Sequence, residues 1–142
     1  MPSAPEHDGK ALLLEALEKD NGVGAFYLCG EDEAAKAALC RKVKDAQLSS
    51  GTNGGNYLEV DARGLRGDKL DNLLHSPPLL ASRRVLVIHC ADKLEMFPRF
   101  VLERYFRHRL EEELLLVLVN TPHTKRDENL AEDENLTLVE CS

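Results

Sequence analysis

Residues 75–88 read HSPPLLASRRVLVI, and this stretch sets two leucines between a proline stop and an apolar run of strand length. Pro77 and Pro78 lack the amide hydrogens that a continuing helix needs, so the preceding helix ends here and the leucines lie in a connector. Neighbouring side chains in an extended segment point in different directions, so one core does not easily cover both Leu79 and Leu80. Two interpretations stay open: the leucines cap the core of their own domain, or they dock on a partner.

Composition bounds the class of protein. The chain has 142 residues, of which 43% are hydrophobic and 30% charged, which is typical of one soluble, folded domain. No apolar run is long enough to cross a bilayer, and the polar N-terminus does not resemble a signal peptide, so we expect a cytoplasmic protein without membrane contact. The net charge of −7 repels a phosphate backbone, so we expect DNA contact only indirectly, within an assembly.

Cysteine and histidine spacing does not indicate a metal site. Cys29, Cys40, Cys90 and Cys141 are far apart and form no C-x-x-C pair, and the five histidines include no pair at helical ligand spacing. We therefore predict that the protein binds no metal and that its cysteines serve as small buried apolar residues.

The apolar pattern alternates between strands and helices along the chain. Strands are predicted at residues 25–29, 57–61, 84–89, 114–119 and 136–140, and helices at 11–19, 32–48, 65–74 and from about residue 94. This order predicts an α/β fold with a five-stranded, mainly parallel sheet flanked by helices. The alternating second strand predicts a sheet edge, and the uninterrupted apolar fourth strand predicts a central position.

Two helices carry apolar stripes that predict which side faces the sheet. In the second helix the stripe comprises Ala35, Leu39, Val43 and Ala46. In the fourth helix, where Pro98 fits only in the first turn, the stripe comprises Leu94, Phe97, Val101, Tyr105 and His108.

The turn after the first strand is where a sheet of this kind holds a nucleotide phosphate, and here it reads CGEDEA over residues 29–34. A phosphate-binding P-loop has the pattern G-x-x-x-x-G-K-S/T, whereas this turn offers one glycine. Glu31, Asp32 and Glu33 sit at the positive end of the helix, where carboxylates cap the helix and repel another anion. We interpret the turn as a degenerate P-loop that holds neither a nucleotide nor another cofactor.

The pattern also lacks residues for catalysis. The third strand leads to Asp92, which stands alone and is predicted to be the N-cap of the fourth helix rather than a magnesium ligand. No serine, cysteine or threonine sits in a nucleophile elbow, and the acids near Cys29 oppose a thiolate there. We therefore predict that the protein is not an enzyme.

Four stretches together carry a family resemblance. They are FYLCGEDE at residues 26–33, LLASRR at 79–84 running into VLVI, ADKL at 91–94, and the apolar run at 114–119. In this order and at compatible spacing they resemble the N-terminal domain of the DNA polymerase III delta subunit, which belongs to the bacterial clamp loader. The resemblance covers about residues 24–141.

This resemblance implies an AAA+-like domain that has lost nucleotide binding and helps to open the ring-shaped sliding clamp during DNA replication. In the family, a leucine–phenylalanine pair enters a hydrophobic pocket on the clamp, and Leu79 and Leu80 correspond to that pair. The implied partners are the sliding clamp and the other clamp-loader subunits. We expect residues 1–24 to form a tail with a short helix, and residues 25–142 to form the AAA+-like domain without the family's lid and collar domains.

The leading hypothesis is thus a non-catalytic clamp-loader domain that docks through Leu79 and Leu80. One alternative is a divergent nucleotide-binding phosphotransferase that uses the turn after the first strand. Another is a protein-interaction scaffold that contacts some other protein through the same leucines. Titration with ATP and with a sliding clamp separates these hypotheses.

Overall fold

The computed structural model describes residues 8–19, 22–48, 56–76, 83–108, 114–122, 127, 130 and 133–141. Its elements, in chain order, are α1 (Gly9–Glu18), β1 (Gly24–Cys29), α2 (Glu33–Leu48), β2 (Tyr57–Asp61), α3 (Gly67–His75), β3 (Arg84–His89), a 3₁₀ turn (Ala91–Lys93), α4 (Met96–His108), β4 (Leu114–Val119) and β5 (Thr137–Glu140). Among the helices in these ranges, none combines the length and the hydropathy that a bilayer crossing needs.

The five strands form one sheet in the order β2-β3-β4-β1-β5, and all neighbouring pairs are parallel. The predicted α/β architecture is therefore confirmed. β2 lies at an edge, as its alternating pattern predicts, and β4 lies between β3 and β1 with all six of its residues buried. A continuous apolar sequence suits a strand that helices cover on both faces.

Helices cover both faces of the sheet. α1 and α2 pack on the face that carries Phe26, Val87 and Val117, and α3 and α4 pack on the opposite face. α1 contributes Leu13 and Ala16 to the core, so this helix of the predicted N-terminal segment packs on the sheet. The domain boundary at residue 24 stays a prediction.

Helix α4 begins at Met96, and Pro98 lies in its first turn as predicted. The predicted stripe is wrong at Phe97 and His108, which are both exposed. The reason is the later start: Leu94 is buried ahead of the helix, and the buried side follows helical spacing counted from Pro98. That side comprises Pro98, Val101, Leu102, Tyr105 and Phe106.

Helix α2 departs from its predicted apolar stripe. Leu39 and Val43 are buried as predicted, whereas Ala35 and Ala46 are half-buried. The helix instead buries two polar residues, Lys36 near its start and Gln47 near its end. Burying such groups is unfavourable unless they find partners, so each end of α2 must supply some.

Candidate functional site

The connections that leave β1 and β4 lie on opposite faces of the sheet, and a crevice opens there at the carboxyl ends of the strands. α2 leaves β1 on one face, whereas the connection from β4 to β5 places Leu130 on the other face. Parallel α/β sheets bind ligands at such a reversal point. The cavity there has a volume of about 280 Å³ and is lined by Glu33, Lys36, Ala37, Cys40, His89, Cys90, Val119, Asn120 and Pro122.

Lys36 is the charged residue that the sequence reasoning missed in this crevice. Its side chain is 2% exposed, and its Nζ lies 2.8 Å from Oε2 of Glu33. Lys36 follows Gly30 by six positions, which is the spacing between the first glycine and the lysine of a P-loop. Ala35 and Ala37 stand where the second glycine and the hydroxyl residue belong. The glycine-to-lysine spacing was the signal that would have found this residue.

The turn between β1 and α2 is held by one bond to the chain after β5 and by one bond within the turn. The Asp32 amide donates to the carbonyl of Cys141 at 2.9 Å, and the Ala35 amide donates to Oδ1 of Asp32 at 3.0 Å. The second bond confirms the predicted capping role of Asp32. Gly30 has φ +110°, and a Cβ there would lie 2.1 Å from the Cys141 carbonyl oxygen, so the chain after β5 packs tightly against this turn.

Asp92 has a different role from the one its sequence position predicts. It lies in the 3₁₀ turn after β3, and its Oδ1 accepts a 2.7 Å hydrogen bond from the amide of Thr121, just beyond β4. The prediction that Asp92 caps the fourth helix is therefore wrong, because α4 begins only at Met96. Asp92 instead joins the carboxyl ends of two neighbouring strands.

A second polar network lies on β2 and β3 beside the crevice. Nε2 of His89 lies 2.7 Å from Oε1 of Glu59, and the Tyr57 hydroxyl donates to Oε2 of the same carboxylate at 2.8 Å. Burial raises the pKa of Glu59, but the hydrogen bonds from His89 and Tyr57 outweigh it, so the pKa lies below its usual range.

The thiol of Cys40 in the crevice does not resemble a nucleophile. Burial, followed by the negative charge of Glu59, raises the pKa of Cys40 to about 11, so the thiol is protonated at neutral pH. Cys29 and Cys141 are buried as predicted, whereas Cys40 and Cys90 are only half-buried because they line the crevice. Within the described ranges, no group of three metal-ligating side chains comes together.

The end of α3 and the start of β3 lie at the opposite, amino edge of the sheet, and the connector predicted from sequence joins them. Leu79 and Leu80, the predicted partner-binding residues, lie outside the described residues, but both flanks of the connector are described. On the first flank, the Ser76 hydroxyl donates to the carbonyl of Asn72 at 2.6 Å. Arg84 donates from Nη1 to the Leu73 carbonyl at 2.6 Å and from Nη2 to the Leu74 carbonyl at 2.9 Å. The start of β3 thus caps the end of α3.

On the second flank, Arg83 is nearly inaccessible, with 3% of its surface exposed. Its Nη1 donates to the carbonyls of Ala16 at 2.9 Å, Lys19 at 3.1 Å and Gly22 at 2.9 Å. Its Nε donates to Oε1 of Gln47 at 3.0 Å. Sequence reasoning did not identify this cluster, because its members are 36 to 67 positions away from Arg83.

An apolar patch on the first turns of α4 was also missed. Met96, Phe97 and Phe100 are 86%, 62% and 49% exposed. The Phe97 ring lies over Gly67 at the start of α3, where an added Cβ would be 2.3 Å from the ring. We call these three residues the α4 patch.

Comparisons with known proteins give a match in structure alone. Neither a family model nor a curated protein matches the chain. A DNA polymerase III gamma subunit-related protein from Thermotoga maritima matches with a TM-score of 0.67 and 15% identity, over 95% of this chain and 46% of that one. The Bacillus subtilis DNA clamp loader delta protein matches with a TM-score of 0.63 and 12% identity, over 91% of this chain and 41% of that one.

A point variant of Thermotoga maritima RuvB also matches, with a TM-score of 0.67 and 15% identity, over 98% of this chain and 45% of that one. The fold is AAA+-like. This chain spans less than half of the length of each of the three proteins. At such low identity the likeness establishes the shared fold, and the assignment to the delta subunit stays a prediction.

Proposed function

We propose that this chain is the sliding-clamp-contacting domain of a replicative clamp loader and that it docks through Leu79 and Leu80. The observation that carries the proposal is that both flanks of the connector are fixed. Arg84 binds a carbonyl near the end of α3, before the connector, and Arg83 ties the chain after the connector to α1. Fixed ends reduce the conformational freedom that two apolar side chains lose on binding. A small interface can then concentrate its binding energy in such a pair.

The shared fold supports the same proposal. Two of the similar structures are a clamp loader delta protein and a polymerase III gamma subunit-related protein. We propose that the other clamp-loader subunits are further partners, and that DNA is contacted only within that assembly, because the net charge of −7 disfavours DNA binding by the isolated chain.

We propose further that the domain is not an enzyme. An AAA+-like fold implies a nucleotide in the crevice, but the residues present do not fit its phosphates. The Lys36 ammonium forms an ion pair with Glu33, and the amides of Asp32 and Ala35 donate to protein oxygens. A triphosphate would have to break these bonds, and the neighbouring carboxylates of Asp32 and Glu33 would repel it.

The decisive test is a calorimetric titration of the chain against the sliding clamp of its source organism. We expect saturable binding, and we expect the double variant Leu79→Ala, Leu80→Ala to lose about 30-fold or more in affinity, as hot-spot residues do. The matched control is Met96→Ser with Phe97→Ser, which removes two exposed apolar side chains from the α4 patch and should change affinity less than about twofold.

The outcomes of this titration separate the hypotheses. A folded leucine variant that binds the clamp as tightly as the parent overturns docking through the connector. Loss of binding in the α4 variant alone would move the contact to that patch. A parallel titration with ATP and magnesium should give no heat of binding, and saturable binding there would instead support the phosphotransferase alternative.

A further inference from the structure

We propose that the α4 patch and a basic pocket beside it form one docking surface for an acidic peptide segment of another protein. The patch lies on the first turns of α4 and the pocket at the start of α3, so both are at the carboxyl edge of the sheet. The end of α3 and the start of β3 are at the amino edge. The inference therefore concerns a surface other than the proposed clamp contact, and it does not rest on the proposed function.

The apolar half of this surface is one side of α4. Phe100 follows Met96 by four positions and Phe97 by three, so the three exposed side chains lie next to one another on the helix. The opposite side of α4 fills the core. A cluster of large apolar side chains in water marks a surface that a partner covers, and methionine adapts readily to the shape of an apolar partner.

The charged half is the basic pocket, a cavity of about 310 Å³ whose charged lining residues are Asp61, Arg63, Arg66 and Lys69. Three cations against one carboxylate give this lining a charge of +2, whereas the whole chain carries −7. Because the rest of the chain is negative, an acidic segment is attracted to this pocket in preference to other parts of the surface.

The cations of the basic pocket are accessible to a carboxylate from a partner. Nη2 of Arg63 lies 2.7 Å from Oδ2 of Asp61, and Nε of Arg66 lies 3.1 Å from Oδ1 of Asp68. The two arginine side chains are 68% and 80% exposed, so water competes for these ion pairs and each contributes little to stability. A partner's carboxylate can therefore replace Asp68 at the planar guanidinium of Arg66.

A contact between α3 and α4 joins the two halves. An added Cβ on Gly67 would lie 2.3 Å from Cδ2 of Phe97, so the ring lies directly on the first residue of α3. Gly67 follows Arg66 in the chain. One short peptide can then place an apolar side chain on the α4 patch and a carboxylate in the basic pocket, with the two residues three or four positions apart on a helix. Such a segment supplies both chemistries that the surface calls for.

The test is fluorescence anisotropy with a fluorescein-labelled peptide of sequence EELFEEFLEE as the probe. We expect saturable binding, and we expect a rise in NaCl from 50 to 500 mM to weaken it about fivefold, because salt screens exposed charges. The peptide EESSEESSEE, which keeps the charge but lacks apolar side chains, should bind at least about tenfold more weakly.

Two variants with matched controls separate the halves of the surface. Met96→Ser with Phe97→Ser should lose about tenfold in affinity for the probe, whereas Leu48→Ser, which removes an exposed apolar side chain from α2 on the other face, should lose less than about twofold. Arg66→Glu with Lys69→Glu should also lose about tenfold.

Lys42→Glu is the control for that charge reversal, because Lys42 is exposed on α2, and it should lose less than about twofold. Circular dichroism checks that every variant is folded. Equal losses in the α2 controls and in the surface variants would overturn the inference, since the peptide would then bind without a defined site.

Gly67→Ala tests the geometry rather than the composition of the surface. It leaves every side chain of the α4 patch and the basic pocket in place but forces the Phe97 ring to move. We expect this variant to lose about fivefold in affinity for the probe, because the apolar and acidic contacts no longer fit together. Unchanged affinity would overturn the proposal that the two halves act as one surface.

Two further outcomes also overturn the inference. One is the absence of saturable probe binding by the folded parent. The other is binding of a 20-base-pair DNA duplex more tightly than the peptide, lost in the Arg66 variant but kept in the Phe97 variant, since the basic pocket would then be a phosphate site. Titration of the leucine variant with the sliding clamp tests the proposed function separately, because none of these peptide measurements involves the clamp.

Discussion

At the two edges of the sheet, side chains of opposite charge pair with the polar backbone groups at the helix ends. In a parallel α/β fold the helices begin at the carboxyl edge and end at the amino edge, so partial positive charge gathers at the first and partial negative charge at the second. At the amino edge, Arg83 and Arg84 bind carbonyls near the ends of α1 and α3. At the carboxyl edge, Asp32 and Glu33 lie at the start of α2.

The edges differ in their access to water, and this difference sets what each can do. Arg83 and Gln47 are almost wholly buried, so their bonds hold the chain in one arrangement. The partner of Lys36 at the carboxyl edge is Glu33, whose side chain is one third exposed. Buried hydrogen bonds therefore hold the amino edge in one arrangement, whereas at the carboxyl edge the Lys36 ammonium pairs with a partly exposed carboxylate of the protein itself.

The largest effect expected from this comparison is the loss of Arg83. Replacing it with methionine leaves the carbonyls of Ala16, Lys19 and Gly22 and the side chain of Gln47 without the guanidinium donor, so we expect the free energy of unfolding to fall by about 3–5 kcal/mol. Urea denaturation measures the change. Arg63→Met is the matched control, because Arg63 pairs with Asp61 on the surface and its loss should leave the unfolding midpoint unchanged. A loss for Arg83→Met below about 1 kcal/mol would contradict the rigid amino edge.

A smaller effect is expected from Glu33 at the carboxyl edge. Glu33→Gln leaves the Lys36 ammonium buried beside a neutral amide, and we expect a loss of about 1–3 kcal/mol, reduced by the partial exposure of Glu33. Adding Lys36→Met to that variant should recover most of the stability, because a buried ion pair can be replaced by apolar atoms. Denaturation of the two single variants and the double variant completes the cycle, and additive losses would show that the pair is not coupled.

The next effect concerns the bond between the ends of β3 and β4. Asp92→Ala removes the acceptor for the Thr121 amide, and we expect a loss of about 1–2 kcal/mol. Asp92→Asn keeps an oxygen at that position and serves as the control, with a smaller loss measured by the same urea denaturation. Equal losses for both variants would mean that the carboxylate charge, and not the hydrogen bond, carries the stabilisation.

Much of the sheet could be predicted from sequence because the strands are apolar runs bounded by turn residues. The predicted limits of β2, β3 and β4 agree with the structure, and Pro98 had to lie in a first turn. Helix faces were less predictable, because a shift of two residues in the start of α4 turns Phe97 from core to surface. The stripe rule also assumes that buried positions are apolar, and Lys36 and Gln47 violate it.

The candidate sites also differ in how far sequence alone predicts them. The Lys36 position was readable from its distance to Gly30, because that signal is local in sequence. The contacts of Arg83 could not be predicted from sequence, because they join segments that only the tertiary fold brings together. A buried arginine that binds carbonyls leaves no residue pattern beyond a charged residue before a strand. The role of Leu79 and Leu80 stays a prediction that rests on the sequence resemblance and the described flanks.

The smallest effect is a pH dependence at the carboxyl edge, in the Glu59 network. Because the folded state lowers the pKa of Glu59, this carboxylate binds fewer protons when folded than when unfolded, so its contribution is present above the usual pKa of about 4.5 and is lost as pH falls through the lowered value. The side chain is 40% exposed, so we expect the contribution to stay below about 1 kcal/mol. Urea denaturation of the parent and of Glu59→Gln at pH 7, 5, 4 and 3 should show a stability difference that is the same at pH 7 and 5 and shrinks at pH 4 and 3. Asp61, whose pKa is held at about 2 by Arg63, is present in both the parent and the variant, so its titration cancels from the stability difference. A difference that is constant over this range would mean that the Glu59 charge does not couple to folding, and the carboxyl edge would then be stabilised by Asp92 and by the ion pair of Lys36 with Glu33.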